Sequence, residues 1–338
     1  MRAVVFESPG KLSVQEMDDP APGRTDVVVE VAGVGICGTD IHVFEGHYAG
    51  TEYPIVPGHE VSGTVVGVGA DVAALAVGDR VVVDPTLSCW QCEQCVNGRY
   101  NLCLNWNSFG VTRTDGASAE YLVAPASNAH RLPEGVDLFQ ATMVEPLSCA
   151  IRAFDLQPRR LGDHYLVYGA GTMGLLLAQL APRAGAASVT VVDPNEGRRV
   201  LAREVGIERV VASAEELDRP TWDVVIDATG VIAAIEDGMR RVRPGGTFQQ
   251  FGVAPADATA TYLPISIVRD EINVVGSAAS KFTFSRAVEL FAIGAIVSPP
   301  MFSHSFTLDD YEPAMEMFRR GEGRKLQIRP HATVSSTM

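Results

Sequence analysis

The spacing of hydrophobic residues changes near residue 160 of this chain. Before that point, short apolar or alternating runs occur at residues 27–31, 61–68, 79–83 and 119–123, separated by segments rich in Gly and Pro. Alternation with a period of two is typical of strands that bury one face, and Gly/Pro clusters mark the turns between them. We therefore predict a compact antiparallel β domain in the first part of the chain.

From about residue 161, the pattern alternates between strands and helices. Strand candidates lie at residues 165–168, 188–192, 209–211, 223–227, 247–251 and 272–276, and helical periodicity separates most of them. This alternation predicts a six-stranded parallel sheet covered by helices on both faces. Residues 306–330 read as a further helix and strand that return to the first domain. The polar tail at 331–338 is expected to be disordered.

The net charge disfavours several classes of partner. A formal charge of −14 and a pI near 4.9 argue against a nucleic-acid-binding surface. No apolar run is long enough to cross a bilayer, and the first residues lack the extended apolar core of a signal peptide. We expect a cytoplasmic protein with neither a nucleic-acid nor a membrane partner.

Four cysteines follow one another with the spacing C-x2-C-x2-C-x7-C: Cys89, Cys92, Cys95 and Cys103. Four thiolates on one short lobe can close the tetrahedral coordination sphere of zinc. A closed sphere leaves no position for a substrate, so we predict a structural zinc. Disulfides or scattered core cysteines are the alternative, which the clustering and the lack of a secretory signal disfavour.

A glycine-rich loop follows the strand candidate at 165–168 and opens the helical run TMGLLLAQL, with its glycines at Gly169, Gly171 and Gly174. This G-x-G-x-x-G pattern allows backbone N–H groups to approach a pyrophosphate at a helix N-terminus. Asp193 ends the next strand, where a carboxylate can bind the adenosine ribose of NAD and repel the 2′-phosphate of NADP. Arg198 can lie along the adenine. Together with Arg199 it keeps NADP open, because guanidinium groups bind phosphate.

Three further segments contain possible metal ligands: Cys37 in GICGTDIH, His59 and Glu60 in PGHE, and Glu145 in VEPLS. Alone, each has a common structural explanation as a buried thiol, a core histidine or a surface carboxylate. The carboxylates lie among apolar residues or Gly and Pro, where an unpaired charge would be costly.

The motifs GICGTDIH, PGHEVSGTVVGVG, VGDRV, EPLSCA, GAGTMG and DATG, together with the four-cysteine lobe, are shared by one family. Over residues 4–329, the chain resembles the zinc-containing medium-chain alcohol dehydrogenases, and among them the polyol branch of sorbitol, xylitol and D-arabinitol dehydrogenases. The resemblance implies an α/β protein with a GroES-like catalytic domain (1–153, zinc lobe about 86–106), a Rossmann domain (154–295) and a return to the catalytic domain (296–330).

The resemblance also implies roles for individual residues. Cys37, His59 and Glu60 resemble the ligands of a catalytic zinc, and Glu145 resembles a carboxylate that binds this metal directly or through its water. Cys149 is a rival ligand. Thr39 and His42 resemble a proton relay, and Asp40 can orient a ligand. The expected cofactor contacts come from the loop and from a later strand end: Gly169, Gly171, Met173, Gly174, Asp193, Arg198, Thr229 and Gly230.

The expected activity is therefore NAD- and zinc-dependent oxidation of a secondary hydroxyl of a pentitol or hexitol to a ketose. Sorbitol dehydrogenases carry an Arg–Tyr pair where this chain has Ser277 to Ala279, so the substrate can also be a cyclitol or an amino-cyclitol. L-threonine oxidation and a redox-inert NAD-binding relative are further alternatives. The strand INVVGSA is an edge that can pair with its copy, so we expect a homodimer or homotetramer.

Overall fold

A computed structural model describes all 338 residues. The strands are β1 (Arg2–Ser8), β2 (Lys11–Glu16), β3 (Asp26–Gly35), β4 (Glu60–Val68), β5 (Arg80–Val83), β6 (Thr86–Leu87), β7 (Asn107–Ser108), β8 (Tyr121–Pro125), β9 (Ala129–Arg131), β10 (His164–Tyr168), β11 (Ser188–Val192), β12 (Arg209–Val211), β13 (Trp222–Asp227), β14 (Val242–Gln250), β15 (Asn273–Gly276), β16 (Phe302–Phe306), β17 (Lys325–Ile328) and β18 (Ser336–Thr337). The helices are α1 (Gly38–Phe44), α2 (Glu93–Val96), α3 (Val144–Leu156), α4 (Thr172–Leu180), α5 (Glu196–Glu204), α6 (Ile232–Arg240), α7 (Pro264–Arg269), α8 (Phe284–Ala292) and α9 (Tyr311–Arg319).

The chain forms two compact units. The first contains Met1–Glu145, Ser280–Ile293 and Phe302–Met338. Its main sheet has the order β18-β16-β17-β3-β4-β5-β9, with β8 also paired to β3. The valines of β3 and β4 alternate into a buried core with Phe6, Phe44 and Tyr311, which is the burial that the period-two pattern predicts. The predicted antiparallel β domain is confirmed.

The second unit contains Pro146–Ala279 and Gly294–Met301. Its six strands are parallel in the order β12-β11-β10-β13-β14-β15, which is the order of a doubly wound dinucleotide-binding sheet. The strands β10, β11 and β13 are buried, as expected where helices cover both faces. The predicted Rossmann-type sheet is confirmed, and the helix expected at TMGLLLAQL is α4.

The C-terminal segment contributes to the first unit. Helix α9 is followed by β17, which pairs with β3 in the register Gln327 to Gly35. The last residues differ from the disordered tail that we predicted, because β18 pairs with β16 and the Ser335 hydroxyl bonds to Asp310. Every helix is either too short or too polar to span a lipid bilayer. The predicted domain boundaries remain a prediction.

Candidate metal centres and cofactor site

Strand register brings three predicted metal ligands together in the first unit. Gly35 at the end of β3 is paired with Glu60 at the start of β4. Cys37 lies just beyond one strand end and His59 just before the other. Their ligand atoms and a carboxylate oxygen of Glu60 all lie within 4.8 Å of one another. His59 and Glu60 are buried and Cys37 is half-buried, so this is a small, largely buried set of sulfur, nitrogen and oxygen donors.

A lysine from β17 completes this region of the sheet. The Nζ atom of Lys325 contacts the Glu60 carboxylate and donates to the carbonyl oxygen of Ile36 at 3.0 Å. Burial alone would lower the pKa of Lys325, but the Glu60 carboxylate outweighs it and raises that pKa. Lys325 therefore stays protonated and balances one negative charge of the donor set.

Asp40 connects two of the candidate ligands through its carboxylate. One oxygen accepts from the backbone N–H of Cys37 at 2.8 Å, and the other lies 3.5 Å from Nδ1 of His59. Burial alone would lower the pKa of His59, but the facing Asp40 outweighs it and holds that pKa well above its usual range. A carboxylate that faces one imidazole nitrogen orients the ring, so that Nε2 is left for a metal.

The other predicted members of this site lie outside the group. Glu145 lies in the first turn of α3, and its carboxylate does not join the atoms within 4.8 Å of one another. Cys149 belongs to the second unit and does not join the group either. Thr39 lies beside the group, with its hydroxyl 3.8 Å from the Cys37 sulfur. His42 is on the exposed face of α1.

The donor set fits zinc. A thiolate, an imidazole and a carboxylate at this separation match the mixed ligands of catalytic zinc sites, which keep one position open. Nδ1 of His59 is buried and has no hydrogen-bond partner. The Asp40 oxygen that faces it at 3.5 Å likewise has none. A metal on Nε2 would keep the proton on Nδ1, where it faces this carboxylate, so the two buried atoms are placed for a ligand role of His59.

The four cysteines of the lobe also meet: Cys89, Cys92, Cys95 and Cys103 lie within 4.8 Å of one another through their sulfurs. Cys89 and Cys103 are 3.4 Å apart, well beyond a disulfide bond of about 2.05 Å. Backbone N–H groups of Leu104 and Asn105 point at sulfurs at 3.5 and 3.3 Å. Backbone N–H groups of Gln91 and Cys92 lower the pKa of Cys89 to about 6, whereas burial raises the pKa of Cys95 to about 12. Four sulfurs in this arrangement fit a closed zinc site.

The glycine-rich loop of the second unit leads from β10 into α4. A Cβ atom at Gly174 would lie 1.9 Å from the carbonyl oxygen of Gly169, so the first turn of the helix can pack against the loop only without a side chain. Gly171 is the N-cap, and a Cβ there would meet nothing within 4 Å. Met173 lies in the first turn. This open helix N-terminus fits a dinucleotide pyrophosphate.

Asp193 links this loop to the end of β11. Its carboxylate accepts from the backbone N–H of Ala170 at 2.8 Å and from that of Asn195 at 2.8 Å. The Arg198 guanidinium lies 3.8 Å away and is half exposed. Arg199 turns inward, donating to the carbonyl oxygens of Asp193 and Pro194. Asp193 therefore shapes the loop, and Arg198 is the cation available to a ligand here.

Asp227, at the end of β13, holds the segment that contains Thr229 and Gly230. Its buried carboxylate accepts from the backbone N–H groups of both residues at 3.0 Å and from Nε2 of Gln250 at 2.8 Å. The Thr229–Gly230 backbone is thereby fixed at the carboxyl end of the sheet, where open α/β sheets bind ligands.

Sequence reasoning missed Lys325 and Asp227. The signal for Lys325 was a lysine at the first position of the strand candidate KLQI, and the signal for Asp227 was an acid that ends a buried strand. Two further polar side chains have partners within the protein. The Asn107 amide bonds to Thr114 and to the loop backbone, and Glu120 accepts from the Arg2 backbone at 2.8 Å.

Comparison with known proteins gives two family models that together cover most of the chain. One is described as the alcohol dehydrogenase GroES-like domain and matches residues 23–134. The other is described as zinc-binding dehydrogenase and matches residues 172–292. The first lies within the unit that holds both candidate metal centres, and the second begins at α4.

Whole-length relatives agree with these models. D-arabinitol dehydrogenase 1 of Uromyces fabae is 35% identical over 98% of this chain and 97% of its own length. An L-threonine 3-dehydrogenase of Pyrococcus furiosus is 34% identical over 92% of this chain and 93% of its own length. A zinc-binding dehydrogenase of Sinorhizobium meliloti 1021, solved with NADP, superposes with a TM-score of 0.92 at 34% identity, covering 97% of this chain and 99% of that one. The chain therefore belongs to the zinc-containing medium-chain alcohol dehydrogenase family, in its polyol branch.

Proposed function

We propose that this protein is a zinc- and NAD-dependent polyol dehydrogenase that oxidises a secondary hydroxyl of a pentitol or hexitol to a ketone. The observation that carries the proposal is the group formed by the half-buried Cys37 and the buried His59 and Glu60, whose donor atoms lie within 4.8 Å of one another. When bound, zinc supplies a Lewis acid that makes a hydroxyl more acidic, and NAD supplies the ring that accepts a hydride.

The residues of this chain supply the metal ligands and the route for the proton. Cys37, His59 and Glu60 hold the catalytic metal, and Glu145 acts through a water, since its carboxylate lies outside the group. The Thr39 hydroxyl, 3.8 Å from the Cys37 sulfur, accepts the proton of the substrate hydroxyl and releases its own into the relay that ends at His42. The exposed His42 passes the proton to solvent, a role that an imidazole can fill because it both accepts and donates protons. Asp40 holds His59 in place.

Two zincs per chain and a preference for NAD are part of the proposal. The second zinc is the structural ion of Cys89, Cys92, Cys95 and Cys103, whose sulfurs are gathered without a further ligand. The preference for NAD rests on the negative charge of Asp193 at the end of β11, which would repel a 2′-phosphate. The positive charge of the exposed Arg198 would attract a 2′-phosphate and so opposes this preference. We therefore expect the discrimination against NADP to be modest.

The polyol substrate is supported by the relative that oxidises D-arabinitol and by the half-buried Tyr48. Burial raises the pKa of Tyr48, the charge of His59 lowers it and that of Cys37 raises it, with a net rise. The Tyr48 hydroxyl therefore stays protonated beside the metal ligands. A neutral donor or acceptor suits a neutral polyol. A pocket that pairs each substrate hydroxyl rejects analogues that lack one.

Two alternatives remain within the family. L-threonine oxidation is favoured by the relative from Pyrococcus furiosus. The family resemblance argues against it, because L-threonine dehydrogenases generally lack the EPLS segment that this chain carries at residues 145–148. A cyclitol or amino-cyclitol is favoured by Ser277, Ala278 and Ala279, which leave the substrate without a guanidinium at that position. A redox-inert NAD-binding relative is the alternative from another class. Turnover separates these possibilities.

The proposal includes a homodimer or homotetramer in the cytoplasm. Strand β15 pairs with β14 on one side and is mostly exposed along its length, so its free edge can pair with a second copy. Cysteines that bind a metal must not form disulfide bonds, and a reducing compartment such as the cytoplasm keeps them reduced.

The test is turnover with a panel of pentitols, hexitols, cyclitols and L-threonine, followed by NADH absorbance, on protein whose zinc content has been measured. We expect two zincs per chain and activity with a polyol. Glu60→Ala should abolish turnover and leave NAD affinity within about threefold, because Glu60 contributes to the metal site and not to the glycine-rich loop. NADH formation with L-threonine alone, or NAD binding without any turnover, would contradict the proposal.

A further inference from the structure

A third group of metal-ligating side chains lies on the surface at the end of α1. His42, Glu45 and His47 each offer a ligand atom, and these atoms all lie within 4.8 Å of one another. All three side chains are exposed, so small rotations about their χ angles can close the remaining distance to a metal. Two imidazoles and a carboxylate with open positions are a donor set that zinc accepts.

Local backbone structure holds the three residues in this arrangement. The N–H of Glu45 donates to the Ile41 carbonyl at 2.9 Å, which ends the helix, and the N–H of His47 returns to the carbonyl of His42 at 2.8 Å. The neighbouring Val43 and Phe44 are buried in the core. The backbone after α1 therefore places His47 next to the last turn of this helix. The opposite face of the helix is held by the burial of Val43 and Phe44.

The two oxygens of Glu45 have different partners. One accepts from Nε of Arg319 at 3.1 Å, and the other lies 3.4 Å from Nδ1 of His47. The Arg319 guanidinium is itself placed over the Phe44 ring, 5.2 Å from its centroid. Ligating carboxylates are commonly hydrogen-bonded through their second oxygen, which fixes their direction. Arg319 thus orients Glu45 and leaves one oxygen facing the histidines.

We propose that His42, Glu45 and His47 bind a divalent transition-metal ion such as zinc, and that this third ion inhibits the enzyme. The inhibitory part rests on the proposed function, in which His42 passes the proton to solvent. An imidazole whose nitrogen is bound to a metal cannot take up that proton. Zinc at this surface therefore slows turnover without displacing either of the two buried ions.

The test is calorimetric titration of zinc chloride into holoenzyme that already holds its own zinc, alongside steady-state rates at the same zinc concentrations. We expect one additional equivalent and a parallel loss of rate. His47→Gln should weaken this binding and raise the inhibitory concentration by about tenfold or more, while the rate without added zinc stays unchanged. His331→Gln makes the same change at an exposed histidine outside the group and should behave as the wild type.

Each outcome decides a separate part of the proposal. Binding of no additional zinc, or unchanged binding in His47→Gln, would overturn the site. Binding that depends on His47 without any loss of rate would overturn the inhibition and retain the site. A protein with no turnover on any substrate would overturn the proposed function, while the calorimetric comparison would still decide whether the surface site exists.

Discussion

The ammonium group of Lys325 contacts the carboxylate of Glu60 in the interior of the protein, where Lys325 is 5% exposed and Glu60 is 2% exposed. The two residues lie far apart in the sequence and meet because β17 and β4 both flank β3. A buried ion pair stabilises a fold little compared with apolar residues, but removing one partner leaves an uncompensated charge. Lys325 therefore allows the ionised carboxylate of Glu60 to be buried in the protein interior.

Lys325→Met should destabilise the protein by about 3 kcal/mol, because it leaves the buried Glu60 carboxylate without its counter-charge. Denaturant unfolding of metal-free protein measures this free energy. The double variant with Glu60→Gln should recover most of the loss. A double variant as unstable as Lys325→Met would show that the lysine contributes by packing and not by charge.

Gly35→Ala should disrupt the buried metal centre without altering a ligand. A Cβ atom at Gly35 would lie 2.1 Å from a Glu60 oxygen and 2.7 Å from Cε of Lys325, so at least one of them must move. We expect the zinc content to fall from two ions to one, with a loss of about 1–3 kcal/mol of stability. Gly38→Ala is the matched control, since a Cβ there meets nothing within 4 Å. Equal zinc content in both variants would refute the steric argument.

Cys95→Ser should cost stability before it costs activity. Cys95 is a buried member of the four-sulfur group, and loss of a ligand from a structural zinc site removes part of its folding energy. We expect one zinc fewer per chain and a lower Tm, with near-normal initial rates at low temperature. Cys149→Ser, outside both groups, should retain the full zinc content. Normal stability with abolished turnover in Cys95→Ser would mean that this ion takes part in the reaction.

Asp84 should make the protein less stable as the pH rises from about 4 to about 6. Burial raises the pKa of Asp84 from 3.8 to about 6, so the unfolded chain loses this proton first and unfolding becomes easier over that interval. The full effect is roughly 3 kcal/mol. Asp84→Asn keeps an oxygen for the N–H of Thr86, which now donates to Asp84 at 2.9 Å. The difference in unfolding free energy between wild type and Asp84→Asn should therefore not be the same at pH 4 and at pH 6. An equal difference at the two pH values would refute the raised pKa of Asp84.

The sequence alone determined those features whose residues lie close together along the chain. The spacing of Cys89, Cys92, Cys95 and Cys103 predicted one zinc lobe, since a short loop cannot keep four such sulfurs far apart. The alternation of strands and helices predicted the parallel sheet, and the glycine-rich loop predicted the start of α4, because both follow from local periodicity and backbone geometry. The family resemblance added the roles of Cys37, His59 and Glu60.

Tertiary structure decided which distant residues meet, and with which charges. The contact of Lys325 with Glu60 depends on the register of β17 and β4 against β3, which is set by burial of both faces of the sheet and is not encoded in any local motif. The same packing left Glu145 outside the group of ligand atoms and gave Asn107 a partner in its own loop. A buried charge needs a partner of opposite charge. For Glu60 that partner comes from a strand distant in the sequence, and the order of the strands in the folded sheet decides which strand lies close enough.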